Sequence, residues 1–220
     1  MVKRKVCGLM TAPRYCNTWA RNIIDAAFKE SGIPLRVSGG VYYGQCMQRM
    51  LEDLIAEGVD LAVTVDFDSI FKAADINRLL SVIESDPAID ALAALQSRRG
   101  MSYPLFTVGQ KQSVEFHGRP LQVNTAHFGL TAIDLHKLAD VPKPWFKGQP
   151  SADGGWGDGR IDDDIWFWHQ WQHAGLKVFV DSGCRIGHLE EMVSEFDETG
   201  THVFGYPNNW GKVQQNDCET

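Results

Sequence analysis

Hydrophobic and polar positions switch along this chain between short unbroken apolar runs and helix-spaced apolar faces, and the switches predict its elements. Residues 6–10 form a first apolar run, broken by Thr11, Ala12, Pro13 and Arg14, and predict a strand. Residues 19–30 have helical composition, with Ile23, Ala27 and Phe28 able to share a face, and Ser31-Gly32-Ile33-Pro34 stops the helix. Residues 35–37 predict a second strand, ending at Gly39-Gly40. Residues 45–57 predict an amphipathic helix with Met47, Met50, Leu51 and Leu54 on its apolar side and Gly58 as its stop. The run Leu61-Ala62-Val63-Thr64-Val65 predicts a third strand, followed by a helix over 73–84 and a strand over 91–95. A β-α-β-α-β-α-β order of this kind predicts an α/β domain whose mainly parallel sheet is covered by helices on both faces. Ligands of such sheets bind beyond the strand C-termini.

The pattern then changes. Residues 104–108, 113–116 and 121–123 read as short strand pieces, with turn signals at Gly109-Gln110 and from His117 to Pro120. A further strand is predicted over 128–133 and a short helix over 134–138. Residues 147–160 hold five glycines and one proline around Trp156 and predict a mobile loop. The chain turns helical from Ile161 through His173, closed by Ala174-Gly175, and residues 177–180 predict a last strand with Arg185-Ile186-Gly187-His188 close behind. The tail over 190–220 is polar and weakly patterned. With no repeat and no linker, residues 1–220 predict one domain, a mixed, mostly parallel sheet flanked by helices.

Composition narrows the setting. The chain has 220 residues, 44% hydrophobic and 22% charged, which suits a single globular core. A net charge of -7 argues against a protein built to lie on nucleic acid, and the basic clusters Lys3-Arg4-Lys5 and Arg98-Arg99 read as solvated strand flanks. Cysteines stand at 7, 16, 46, 184 and 218, an odd number without a Cys-x-x-Cys pair, which fits a reducing cytosol. No apolar run approaches the ~18 residues of a membrane span, so the expectation is a cytoplasmic protein with no membrane partner.

The chemistry lies in three places. Asp66-Phe67-Asp68 follows the Leu61 run directly, so a strand end presents two carboxylates, alternate residues of an extended segment pointing the same way. Such a pair suits a divalent cation that neutralises a diphosphate. Asp162-Asp163-Asp164 opens the late helix, where acids complement the macrodipole, but three in a row exceed that need and leave at least one for a general base. His188 follows the last strand, and a histidine with aspartates and phosphate oxygens suits Mn2+ or Mg2+, with some preference for Mn2+. Trp166, Phe167, Trp168 and Trp171 at helical spacing read as core, whereas Trp156 among glycines is placed to stack on a sugar or base.

Together these pieces resemble the GT-A glycosyltransferases, especially the family 2 type and the polypeptide N-acetylgalactosaminyltransferases, from about Lys5 to His188. The matching pieces are the early strand with its Pro13-Arg14 end, the Arg49 helix and the Asp66-Phe67-Asp68 strand end. The segment Asn124 to Ile133, the Asp163-Asp164-Ile165-Trp166-Phe167 helix start with Ala174-Gly175 after it, and the final strand with His188 complete them. The resemblance implies a nucleotide-diphospho-sugar transferase fold and a transferase of the hexosyltransferase class. It implies Mn2+ or Mg2+ held by Asp68 and His188, with Asp66 meeting the ribose or the metal through water. The donor would be a nucleoside diphosphate-sugar, a UDP-sugar foremost, contacted by Pro13, Arg14 and Arg49. Asp163 or Asp164 would meet the acceptor, whether saccharide, protein, metabolite or hydroxymethylated DNA base; for DNA the residues to watch are Arg98, Arg99, Arg119, Lys143 and Lys147. Two alternatives remain: a haloacid-dehalogenase-like phosphatase, which also ends an apolar strand in Asp-x-Asp, and a non-catalytic nucleotide-sugar-binding domain.

Overall fold

The computed structural model describes residues 4–98, 104–108, 117–196 and 199–205. The elements run β1 (Val6–Ala12), α1 (Thr18–Ser31), β2 (Leu35–Gly39), α2 (Tyr43–Ala56), β3 (Leu61–Asp66), β4 (Ser69–Ile70), α3 (Ala73–Ser85) and β5 (Ala91–Leu95). They continue with β6 (Pro120–Val123), β7 (Leu130–Asp134), α4 (Leu135–Ala139), α5 (Asp163–His173), β8 (Val178–Arg185), β9 (Gly187–His188), β10 (Val193–Phe196) and β11 (His202–Gly205). The predicted strand piece at 113–116, the turn at Gly109-Gln110, Lys3, Arg99, Cys218 and the tail beyond 205 lie outside the described residues.

The central sheet has seven strands in the order β2-β1-β3-β7-β5-β8-β6. β1, β2, β3, β5 and β8 run one way, and β6 and β7 run against them. The first half therefore keeps the parallel winding that its alternation predicted. β7, however, returns antiparallel between β3 and β5, pairing Leu61 with Asp134 and Val65 with Leu130.

The period-two alternation of the strands builds two different cores. Leu61, Val63 and Val65 of β3 and Leu92 and Ala94 of β5 face a cluster with Ile24 and Phe28 of α1 and Ile76, Leu79 and Ile83 of α3. The alternate residues Ala62, Ala91 and Ala93 face the other layer, with Met47, Leu51 and Leu54 of α2 and Phe167, Trp168 and Trp171 of α5. Those strand positions are alanines because the facing layer is aromatic. Phe128, Phe146, Phe167, Trp168 and Trp171 stack or meet edge to face with centroids 4.9–6.2 Å apart, and small strand residues leave the depth they need. The late aromatics are thus core, as their spacing predicted. Trp166 is the exception, half-buried with its indole N–H donating to the Pro144 carbonyl.

Several local readings are corrected. In α1 it is Ile24, not Ile23, that is fully buried beside Ala27 and Phe28. Asn17 caps this helix through the amides of Trp19 and Ala20, and Gly32 ends it with a φ of 70° that suits glycine. Residues 104–108 form isolated bridges rather than a strand, β7 starts at Leu130, and β8 extends to Arg185. The described part of the tail is not patternless: β10 and β11 form an antiparallel hairpin. The loop over 147–160 is closed at its base by paired backbone bonds between Gln149 and Ile161 and turned by Ser151 and Asp153.

Candidate active site

The apolar β3 strand carries Asp66 at its end, and the chain turns at Phe67 and Asp68 before entering β4. Asp66 therefore ends the strand and Asp68 sits on the turn, so the two acids do not share one extended segment. Thr64, fully buried in the strand, gives its hydroxyl to the Phe128 carbonyl at 3.1 Å and so ties β3 to the segment leading into β7.

His188 reaches the same place through an irregular path. β8 follows β5 in register as far as Asp181 opposite Ala94, then bulges, so that Arg185 is the residue opposite Leu95. The bulge is pinned by Arg78 of α3, whose guanidinium makes bonds of 2.6 and 3.0 Å to the buried Asp181 carboxylate. Beyond it the two-residue strand β9 pairs antiparallel with β4, Ser69 opposite His188 and Ile70 opposite Gly187. The Leu189 amide also donates to the Asp68 carbonyl at 2.8 Å.

This pairing brings the His188 Nε2 to 3.4 Å from Asp68 Oδ2, with both side chains largely buried. His188 Nδ1 lies 3.1 Å from the Ser97 carbonyl. A carbonyl can only accept, so Nδ1 carries the proton and Nε2 is the atom turned to the carboxylate. The 3.4 Å separation exceeds a direct bond of about 2.7–3.2 Å. Two ligands each about 2.1 Å from one cation stand about 3.0–3.4 Å apart, so the donor set fits a shared divalent ion. Among the described residues no third His, Cys, Asp or Glu joins them. An imidazole held through its other nitrogen by a backbone carbonyl is also how metal-binding histidines are oriented.

His127, in the segment before β7, is next to this pair and is a different kind of residue. Its Nε2–H donates to the Ala94 carbonyl at 2.7 Å, and its Nδ1 accepts from the Gly129 amide at 2.8 Å. Burial pushes its pKa down to about 4, helped by the nearby His188. It is a neutral structural histidine with both nitrogens in use.

The late acids separate by role. Asp162 is exposed at the α5 N-cap and bonded to Arg160 at 2.8 Å. Asp163 reaches across to α2, where a Cβ on Gly44 would come within 2.5 Å of its Oδ2, and lies under Gly148 of the loop. Burial raises the Asp164 carboxyl above the usual carboxylate range, with the Asp162 and Asp163 charges adding to the effect. The two acid groups meet around Tyr43, at the start of α2. Its phenol is pushed well up by burial and by the charges of Asp66, Asp164 and Asp163, and its hydroxyl is enclosed with no hydrogen-bond partner among the described residues. Trp156 is exposed and its ring flanks Gly148, beside Asp163.

Pro13 and Arg14 are exposed just after β1, at the same sheet end as the Asp66 turn, since β1 runs parallel to β3 with Thr11 opposite Asp66. Arg49 is exposed on α2. Arg98 and Arg119 are exposed, Lys143 pairs with Glu52 at 2.8 Å, and Lys147 lies over Trp166. Tyr43, Gln96 and the β4–β9 pairing had no signal in the sequence reading. Tyr43 follows another tyrosine and Gln96 opens the polar run Gln96-Ser97-Arg98, so neither stands out from its neighbours, and two-residue strands show no period.

No protein-family model matches the chain, and no curated protein matches it in sequence. Among solved structures, A197 from STIV matches with a TM-score of 0.63 at 12% identity, over 90% of this chain and 93% of that one. GalNAc-T7, solved with UDP, GalNAc and Mn2+, matches with a TM-score of 0.49 at 12% identity, over 84% of this chain and 44% of that one. At such identities the likeness concerns the fold, and the fold of this chain is a GT-A-like α/β domain with its central sheet flanked by helices.

Proposed function

We propose that the protein is a metal-dependent glycosyltransferase of the hexosyltransferase class. It moves a sugar from a nucleoside diphosphate-sugar, a UDP-sugar foremost, to an acceptor hydroxyl. The observation that carries this reading is the approach of Asp68 and His188, far apart in the chain, with the imidazole oriented so that Nε2 faces the carboxylate. The GT-A-like fold supports it, because in open α/β sheets ligands bind where this pair lies, beyond the strand C-termini.

Asp68 and His188 would hold Mn2+ or Mg2+, with Asp66 beside them meeting the ribose or the metal through water. Bound there, the cation would offset the charge of the departing diphosphate. Pro13, Arg14 and Arg49 are the residues assigned to the nucleotide. Asp163 or Asp164 would contact the acceptor and, in an inverting reaction, accept the proton of the attacking hydroxyl. Their enclosure next to Tyr43 favours Asp164 as the stronger base, since burial disfavours its charged form. The acceptor is a saccharide, protein, metabolite or hydroxymethylated DNA base. With the lysines of the basic set engaged by Glu52 and Trp166, a nucleic-acid acceptor has the least support. No observation favours the phosphatase or the non-catalytic binder. No described helix is long and apolar enough to cross a membrane, and a cytoplasmic location remains the reading of the cysteine pattern.

The test is release of nucleoside diphosphate from UDP-sugars with Mn2+. Asp68→Ala and His188→Ala are each expected to abolish it while remaining folded. Full activity in either variant refutes the metal assignment. The loop over 147–160 is proposed to close over bound donor; protease cleavage there that is the same with and without UDP-sugar and Mn2+ refutes a lid.

A further inference from the structure

We infer that Gln96 is a positioning residue that sets the distance between Asp68 and His188; the inference rests on the metal reading above. The residues after β5 grip the β9 segment one by one. The Leu95 carbonyl accepts from the Ile186 amide at 3.0 Å, the Gln96 Nε2 donates to the Gly187 carbonyl at 3.1 Å, and the Ser97 carbonyl takes the His188 Nδ1–H at 3.1 Å. Of these three, Gln96 also reaches β4 just after the acid turn, where the same Nε2 donates to the Ser69 hydroxyl at 3.2 Å. Ser69 follows Asp68, and Gly187 precedes His188. One amide nitrogen therefore ties together β4, which starts next to Asp68, and β9, which ends in His188.

The orientation of that amide is determined. Turned over, its oxygen would face the Gly187 carbonyl, and two acceptors repel. The oxygen instead lies against Gly129 and has no hydrogen-bond partner among the described residues, although Gln96 is 2% exposed. A Cβ on residue 129 would overlap that oxygen and come within 2.8 Å of His127 Nδ1 and 2.9 Å of Ser69 Oγ. Gly129, His127 and Ser69 thus wall the side chain in. A buried acceptor left unpaired opposes folding, and a leucine of similar size would avoid it, so apolar packing does not account for glutamine. What glutamine supplies and leucine does not is a donor at the junction of β4 and β9. The β4–β9 pairing is only two residues long, and beside its backbone bonds, the Leu189–Asp68 bond among them, Gln96 adds a side-chain tie between the two strands.

The experiment measures Mn2+ binding to the whole chain by electron paramagnetic resonance of the free ion. It uses the wild type, Asp68→Ala, Gln96→Leu, Ser69→Ala and Leu138→Ala. Leu138 is buried in α4, at the end of the sheet opposite the acid turn, since Asp134 before it pairs with Leu61 at the start of β3. Leu138→Ala controls for general loss of stability. The expected result is that Gln96→Leu weakens Mn2+ binding about 10-fold or more, that Ser69→Ala weakens it less, and that Leu138→Ala leaves it unchanged while lowering the melting temperature. Wild-type affinity in folded Gln96→Leu overturns the inference. If Gln96→Leu does not fold, wild-type affinity in Ser69→Ala overturns it. Mn2+ binding by the wild type that Asp68→Ala does not reduce removes the metal reading itself, and the inference with it.

Discussion

Acid should weaken this fold through His127 before it touches the carboxylates. The imidazole is enclosed, its Nε2–H bonded to Ala94 and its Nδ1 to Gly129, and its pKa falls from 6.5 to about 4. The sign follows from proton binding. Above pH 6.5 neither the folded nor the unfolded chain protonates this ring. As pH falls below 6.5 the unfolded chain takes up a proton that the folded chain refuses, so stability is lost down to about pH 4 and is then flat. At about 1.36 kcal/mol per unit the full loss is about 3 kcal/mol, and from pH 7 to pH 5 it is about 2 kcal/mol. With a urea slope of about 2.5 kcal/mol/M, that shifts the unfolding midpoint by about 0.8 M. The assay is urea unfolding at pH 7, 6 and 5 in EDTA, followed by circular dichroism, for the wild type and His127→Gln. Glutamine can still donate to Ala94 but does not titrate. The wild type is expected to lose about 2 kcal/mol relative to the variant between pH 7 and pH 5. Parallel midpoints across that range would refute the account of His127 as an enclosed neutral ring. The same variant should keep Mn2+ binding, because both ring nitrogens are already committed to the backbone.

Three further outcomes are expected. Tyr43→Phe removes a hydroxyl with no partner and keeps the ring against Phe128 and Phe146; stability should stay level or rise by up to about 1 kcal/mol, and a loss above about 1 kcal/mol in urea unfolding would mean that the hydroxyl is bonded. Arg78→Met leaves the fully buried Asp181 carboxylate without its guanidinium, at a cost of about 3 kcal/mol; a loss under about 1 kcal/mol by the same measurement contradicts the pin on the β8 bulge. Gly129→Ala drives a Cβ into Gln96, His127 and Ser69 and should destabilise by about 1–3 kcal/mol; a neutral result in thermal melts would show that this knot yields easily.

The order of residues was enough for the winding of the first half, because each strand there is a compact apolar run and each helix has an apolar face that the next element must cover. It placed Asp66 and Asp68 at a strand end and Asp163 and Asp164 at a helix start, since both sites are defined by neighbours within a few residues. It also marked Phe167, Trp168 and Trp171 as core. Its phase within α1 was off by one residue, at Ile23 for Ile24, because three apolar positions do not fix a 3.6-residue period.

What those pieces do together depends on pairings made in three dimensions. The antiparallel return of β7 between β3 and β5, the bulge at Asp181, the β4–β9 pairing and the meeting of Asp66 with Asp163 and Asp164 around Tyr43 all join residues tens to more than a hundred positions apart. The strand pairings among these are made by backbone groups, so they leave no mark in the order of side chains, and they in turn bring the distant acid side chains together. The approach of Asp68 and His188 follows from strand register, and register becomes definite only when the sheet has formed.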